Sequence, residues 1–158
     1  MEGELLLFAF RANKPPECQP FARGKFVEGL WTDDVAELFL AGPGNDYQEF
    51  NFSPTGAWWS ACFSNYRQRD RLCPDPAPQL ECLSGPDFWE ISCILTLSSL
   101  LPWQGCSIDQ RRLHVASVLF PTDPEYLCSG HSSGGTPDFH LLSNFHPPTH
   151  CNEAQVKG

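Results

Sequence analysis

The apolar residues of this chain fall in short runs, rich in β-branched and aromatic side chains and closed every few residues by Gly, Pro, Asn or Asp. No window repeats apolar residues at the spacing of an amphipathic helix, and 15 prolines in 158 residues leave little room for long elements. The pattern therefore points to an all-β fold of short strands. Strands are expected at 5–12, 25–31, 35–40, 47–53, 57–63, 88–97, 111–119 and 125–128. Eight of them in one domain predict an antiparallel β-sandwich, immunoglobulin-like or jelly-roll-like. Residues 1–147 are assigned to that sandwich and 148–158 to a flexible C-terminal tail. Residues 72–86, which include Pro74, Pro76, Pro78 and Pro86, read as a surface loop, and 98–101 as a single helical turn.

Nineteen acidic residues against ten Lys and Arg leave a net charge of -9. Such a surface repels phosphate backbones and anionic lipid, which argues against a nucleic-acid or membrane partner. No window approaches the ~20 apolar residues of a membrane span. The run Leu5 to Phe10 follows Glu2 and Glu4 and is closed by Arg11, unlike an export signal. A cytoplasmic protein with mostly reduced thiols is expected, several of its eight cysteines serving as small core hydrophobes. Their spacings contain no C-x2-C pair, against a zinc ribbon or a thioredoxin-like site.

The middle of the chain allows a sharper reading. The loop Ala41 to Asp46 joins two strands whose core faces are Leu38, Leu40 and Phe50, Phe52. Alternation then gathers Glu37, Phe39, Tyr47, Glu49 and Asn51 on the opposite face. After the turn Ser53-Pro54-Thr55-Gly56, the more apolar alternate set Trp59, Ala61 and Phe63 is assigned to the core and Trp58 to the polar face; a bulge at Gly56 would exchange the two tryptophans. A face with an aromatic plane, two carboxylates and an amide suits a sugar, whose apolar side packs on a ring while fixed polar groups take its hydroxyls. The same residues also read as an ordinary solvated sheet surface.

Gly29-Leu30-Trp31, Glu37-Leu38-Phe39-Leu40, Tyr47-x-Glu49-Phe50-Asn51-Phe52-Ser53-Pro54-x-Gly56-x-Trp58 and Asn65-Tyr66-Arg67, with Pro137-Asp138-Phe139-His140 and Phe145 further on, resemble the DOMON-like relatives of carbohydrate-binding module family nine. The resemblance spans about 120 residues. It implies a β-sandwich that binds carbohydrate ends or other small ligands without catalysis and needs no cofactor. Trp58, Glu37, Glu49, Asn51, Arg67 and His140 are the ligand-binding candidates. Carbohydrate-binding members are usually appended to secreted hydrolases and can carry structural calcium, whereas neither a catalytic domain nor an export signal is expected here.

Two other chemistries compete. Glycoside processing would use Glu37 with Glu49, since hydrolysis needs two carboxyls about 5 to 9.5 Å apart. Zinc would draw on Cys128, His131, His140, His146, His150 and Cys151, although no standard finger spacing is present. Asp33, Asp34 and Asp46 offer oxygen ligands for calcium but are equally ordinary turn residues. Ser129 and Ser132 beside His131 lack a nucleophile elbow. Arg67, Arg69 and Arg71 follow the third hairpin strand at alternate positions that can share one side, and can fork to sugar hydroxyls or pair with Asp70, Glu37 or Glu49. Trp31, Trp89 and Trp103 read as packing residues. Ligand identity and oligomeric state are not legible.

Overall fold

A computed structural model describes residues 4–129 and 135–148. Among the described residues, nine strands form two antiparallel sheets: β1 (Leu5–Ala12), β2 (Val35–Ala41), β3 (Tyr47–Phe52), β4 (Trp58–Asn65), β5 (Gln68–Leu72), β6 (Gln79–Gly85), β7 (Phe88–Thr96), β8 (Arg112–Leu119) and β9 (Glu125–Cys128). The smaller sheet has the order β1-β7-β6 and the larger β5-β4-β3-β2-β8-β9. The architecture is the expected β-sandwich. Only short 3-10 turns interrupt the strands among the described residues, two of them, Leu97–Ser99 and Leu101–Trp103, where a helical turn was expected.

Between the sheets lies a core built on Phe8, Leu38, Phe52, Trp58, Trp89 and Ile91. The outer face of the large sheet carries a second apolar cluster around Phe39, Tyr47, Trp59 and Phe63, covered by Leu30 and by Phe139 and Phe145 near the C-terminal end. Every residue of β2 and β3 is consequently buried. A strand covered on both faces must carry apolar or paired side chains throughout, so its sequence shows weaker alternation than a half-exposed strand.

Three expectations need correction. Residues 25–31 form no strand: Phe26 makes a single parallel bridge to Trp58, and Gly29, at φ +89°, turns the chain into the 3-10 turn Leu30–Thr32. The 72–86 segment is not all loop, because the prolines stop at Pro78 and resume at Pro86, leaving 79–85 free to pair with β7 as an edge strand. The entirely exposed β5, Gln-Arg-Asp-Arg-Leu, went unread because an edge strand protected by charge carries no apolar signature.

The third correction concerns the tryptophans. Ser53 and Ala57 close the hairpin: the Ser53 N–H donates to the Ala57 carbonyl at 2.9 Å and the Gly56 N–H to the Ser53 carbonyl at 2.9 Å. Gly56 adopts φ +84°, the left-handed position of a bulged three-residue loop. Phe52 therefore faces Trp58 across the ladder, and Asn51 faces Trp59. Trp58 belongs to the core between the sheets, where its indole Nε1 donates to the Gly24 carbonyl at 3.2 Å. Trp59 stands on the outer face. The extra loop residue exchanges the two rings relative to the register expected from apolarity alone.

Near the start of the chain, the buried Lys14 ammonium pairs with Asp34 and lies 4.5 Å from the Phe120 ring centroid. Asp34 also accepts the Glu17 and Phe120 backbone N–H groups, each at 2.8 Å. Asp33 accepts the Gln19 N–H at 2.8 Å, so both aspartates act as local caps. Residues 149–158, most of the expected tail, lie outside the described residues.

Candidate functional site

A cavity of about 650 Å³ opens on the outer face of the large sheet. Its floor is set by strand register. Glu37 on β2 lies opposite Asn51 on β3, and Asn51 lies opposite Trp59 on β4, so the three share one row. Glu49 and Phe39 form the next opposed pair, two residues along, which makes Glu37 and Glu49 diagonal neighbours. The Trp31 ring meets Trp59 edge to face at 5.4 Å, and Phe63 and Tyr126 add further aromatic wall.

The two carboxyls are only 4% and 6% exposed. Burial, and then the charge of Glu49, push Glu37 well above the ordinary carboxyl range. Burial likewise pushes Glu49 up to about 7, against the opposing pull of the Asn51 amide and the Arg67 guanidinium. Asn51 is fully buried, and its amide stands near enough to Glu49 to pull on that carboxyl without either amide atom reaching full hydrogen-bond geometry. Trp59 Nε1 is also unpartnered. Buried polar groups in folded chains are nearly always bonded, so these atoms stand out, although Trp89, Arg111, His114 and Ser117 carry similar ones away from the cavity.

One rim is assembled from three distant segments. The Arg67 backbone N–H donates to the Tyr47 hydroxyl at 3.1 Å, leaving that hydroxyl to donate to His140 Nδ1 at 2.7 Å. The arrangement assigns the ring proton to Nε2, which stands 4.0 Å from a Glu49 oxygen. Burial and the nearby Arg67 lower His140 to about 4, against the raising effect of Asp138, so the ring is neutral near pH 7. Asp138 accepts from Arg67 Nη2 at 3.0 Å, from the His140 backbone N–H at 3.1 Å and from the Tyr66 hydroxyl. Against the upward push of burial, these donors hold its carboxyl below the usual range. Arg67 is kept at φ +52°, an uncommon left-handed position for a side-chain-bearing residue, with both its backbone and its guanidinium engaged.

Of the six candidates, Glu37, Glu49, Arg67 and His140 line the cavity, and Asn51 lies beneath it in the row of Glu37 and Trp59. Trp58 does not. Trp59 takes its place, joined by Trp31, which is 43% exposed rather than packed away. Trp89 and Trp103 are buried. Arg67 and Arg69 reach the cavity but pair with Asp138 and Glu28, not with the carboxyls named from sequence. Trp31 was missed because its neighbours are apolar; the left-handed Gly29 just before it is what swings it to the rim.

The zinc candidates are not brought together among the described residues, where no group of three or more potential ligands occurs. His131, His150 and Cys151 lie outside the described residues. His146 Nε2 stands 2.9 Å from Ser129 Oγ, whereas His140 is bound through Nδ1 to Tyr47. Among the described residues, Cys18, Cys62, Cys73, Cys82, Cys93 and Cys106 carry free thiols.

No family model and no curated protein sequence matches the chain. Among solved structures, the chain is similar to that of a candidate carbohydrate-binding protein from Bacteroides uniformis, with a TM-score of 0.62 over 89% of this chain and 70% of the other. At 14% identity, the two proteins share a fold: a two-sheet β-sandwich.

Proposed function

We propose that this sandwich is a non-catalytic binding module whose outer-face cavity takes a carbohydrate or a sugar-like small ligand. One observation carries the reading: Trp59 borders a cavity of about 650 Å³ whose floor also presents Glu37 and Glu49, with the buried amide of Asn51 in the row beneath them. A sugar ring can cover an indole while its hydroxyls bond carboxyl and amide groups. Support comes from the resemblance to DOMON-like relatives of carbohydrate-binding module family nine, whose two sequence blocks meet here through Tyr47, Arg67, Asp138 and His140. The fold shared with the Bacteroides uniformis protein is in keeping with it.

Binding without hydrolysis is favoured by where the carboxyls stand. Glu37 and Glu49 lie side by side on neighbouring strands of one floor, whereas glycosidases place two carboxyls on either side of the bond to be cut. In this reading the module works in the cytoplasm with its thiols reduced, and neither nucleic acid nor membrane is a partner. A thermal-shift screen of sugars and divalent metals, followed by a glycan array, tests the proposal. A soluble sugar should raise the melting temperature in proportion to the logarithm of its concentration without being cleaved. Stabilisation by zinc alone, or release of free sugar from a glycoside, would overturn it.

A further inference from the structure

Among the described residues, the Glu37–Glu49 pair has no salt-bridge partner that is charged near pH 7, and Arg67 acts on Glu49 only from a distance. Groups facing it come from every side of the cavity. Arg67 and Arg69 reach in from the β4–β5 hairpin, but Arg67 is committed to Asp138 and Arg69 to Glu28. His140, from the C-terminal segment, points Nε2 at Glu49 from 4.0 Å as a neutral ring. The Tyr47 hydroxyl is occupied by Arg67 and His140. From β8, His114 is fully buried on the same face, and burial lowers it to about 4, so it brings no charge. Thr32, Val118 and Tyr126 complete the wall without a cation.

Two buried carboxyls side by side cannot both ionise cheaply unless a positive charge joins them. Aromatic rings close by, Trp59, Trp31, Phe63 and Tyr126, attract a cation through their faces. We propose that the cavity selects a ligand bearing a protonated amine, an amino sugar whose ammonium sits over Glu37 and Glu49 while its ring covers Trp59. The inference rests on the sugar-pocket reading and names its substrate class. Bound ammonium lets the pair give up its shared proton to solvent and form charge-assisted hydrogen bonds on both carboxylates, while the Asn51 amide bonds an adjacent hydroxyl. An N-acetylated or purely hydroxylated sugar brings no charge and leaves the pair protonated.

Three β-1,4-linked disaccharides differing only at C2 test this on the full chain by isothermal titration near pH 7: chitobiose with free amines, its N,N′-diacetyl form, and cellobiose, with choline as a cation lacking a sugar ring. Chitobiose should bind about tenfold or more tighter than the other two sugars, with proton release seen as a dependence of the heat on buffer ionisation. The double variant Glu37→Gln/Glu49→Gln, shown to be folded by its thermal melt, should bind all three sugars alike. Equal binding of the three sugars by the wild type would overturn amine selection and leave the sugar pocket standing. Choline binding as tightly as chitobiose would keep the cation site and overturn the sugar reading. Absence of binding by all four probes would overturn both.

Discussion

The Tyr47 hydroxyl lies 2.7 Å from His140 Nδ1 across 93 residues of sequence, while accepting the Arg67 backbone N–H on its other side. One oxygen thereby ties a central strand, a hairpin turn and the C-terminal segment into a single rim. The phenyl ring of Phe63 stacks on Tyr47 at 4.6 Å and 3°, which holds the phenol in place. Rim geometry thus depends on a group that does not itself line the cavity.

Tyr47→Phe should keep the stacking and remove both bonds. It leaves a backbone N–H and a ring nitrogen unpaired, at an expected cost of about 1–3 kcal/mol in denaturant melts. Because the hydroxyl donates to the neutral ring, its loss should also move the His140 titration, followed by NMR, upward from about 4. An unmoved His140 would mean that the ring does not accept from Tyr47.

The tryptophan pair separates packing from binding. Trp58→Ala opens a hole in the core between the sheets and should cost about 3–5 kcal/mol. Trp59→Ala empties an equally buried place in the outer cluster and should cost a similar amount in stability, and it should in addition weaken sugar binding by about 2 kcal/mol or more. Denaturant melts and titrations on both variants check this, and loss of binding by a folded Trp58→Ala with normal binding by Trp59→Ala would contradict the assigned register.

Most of the sandwich was legible because its half-buried strands alternate. The β1 span and the faces of Glu37, Phe39, Tyr47, Glu49 and Asn51 followed from period-two patterning and a short connection. What failed was decided by a single residue or by the absence of apolar signal. The left-handed Gly56 inserts one loop position and inverts β4, and the charged edge strand β5 offers nothing for alternation to show. In the site, sequence reached the carboxyl pair but not its setting. That Arg67 is spent on Asp138, leaving Glu37 and Glu49 without an ion pair to it, depends on a contact between residues 71 positions apart.

Stability should respond to pH in two opposed windows. Glu37 and Glu49 are raised in the folded protein, so their contribution is complete below the ordinary value of 4.5 and is lost as pH rises through the folded values, about 7 for Glu49. His114 and His140 are lowered to about 4, so the unfolded chain takes up protons below 6.5 that the folded protein refuses, and stability falls as pH drops from 6.5 toward 4. Glu37→Gln/Glu49→Gln should therefore be more stable than wild type by about 2 kcal/mol near pH 8, an advantage that shrinks toward pH 4.5. Denaturant melts at the two pH values decide it; a variant less stable at both would show that the pair is held ionised by a cation.

The most direct measurement follows the five indole N–H resonances of the protein during a sugar titration. Trp31 and Trp59 line the cavity, the Trp58 and Trp103 indoles are bonded to the Gly24 and Ala41 carbonyls, and Trp89 is buried between the sheets. Binding in the cavity predicts saturable shifts at Trp59 and Trp31, with Trp58, Trp89 and Trp103 unmoved. Shifts confined to the latter three, or none at Trp59 while calorimetry records binding, would contradict an outer-face site.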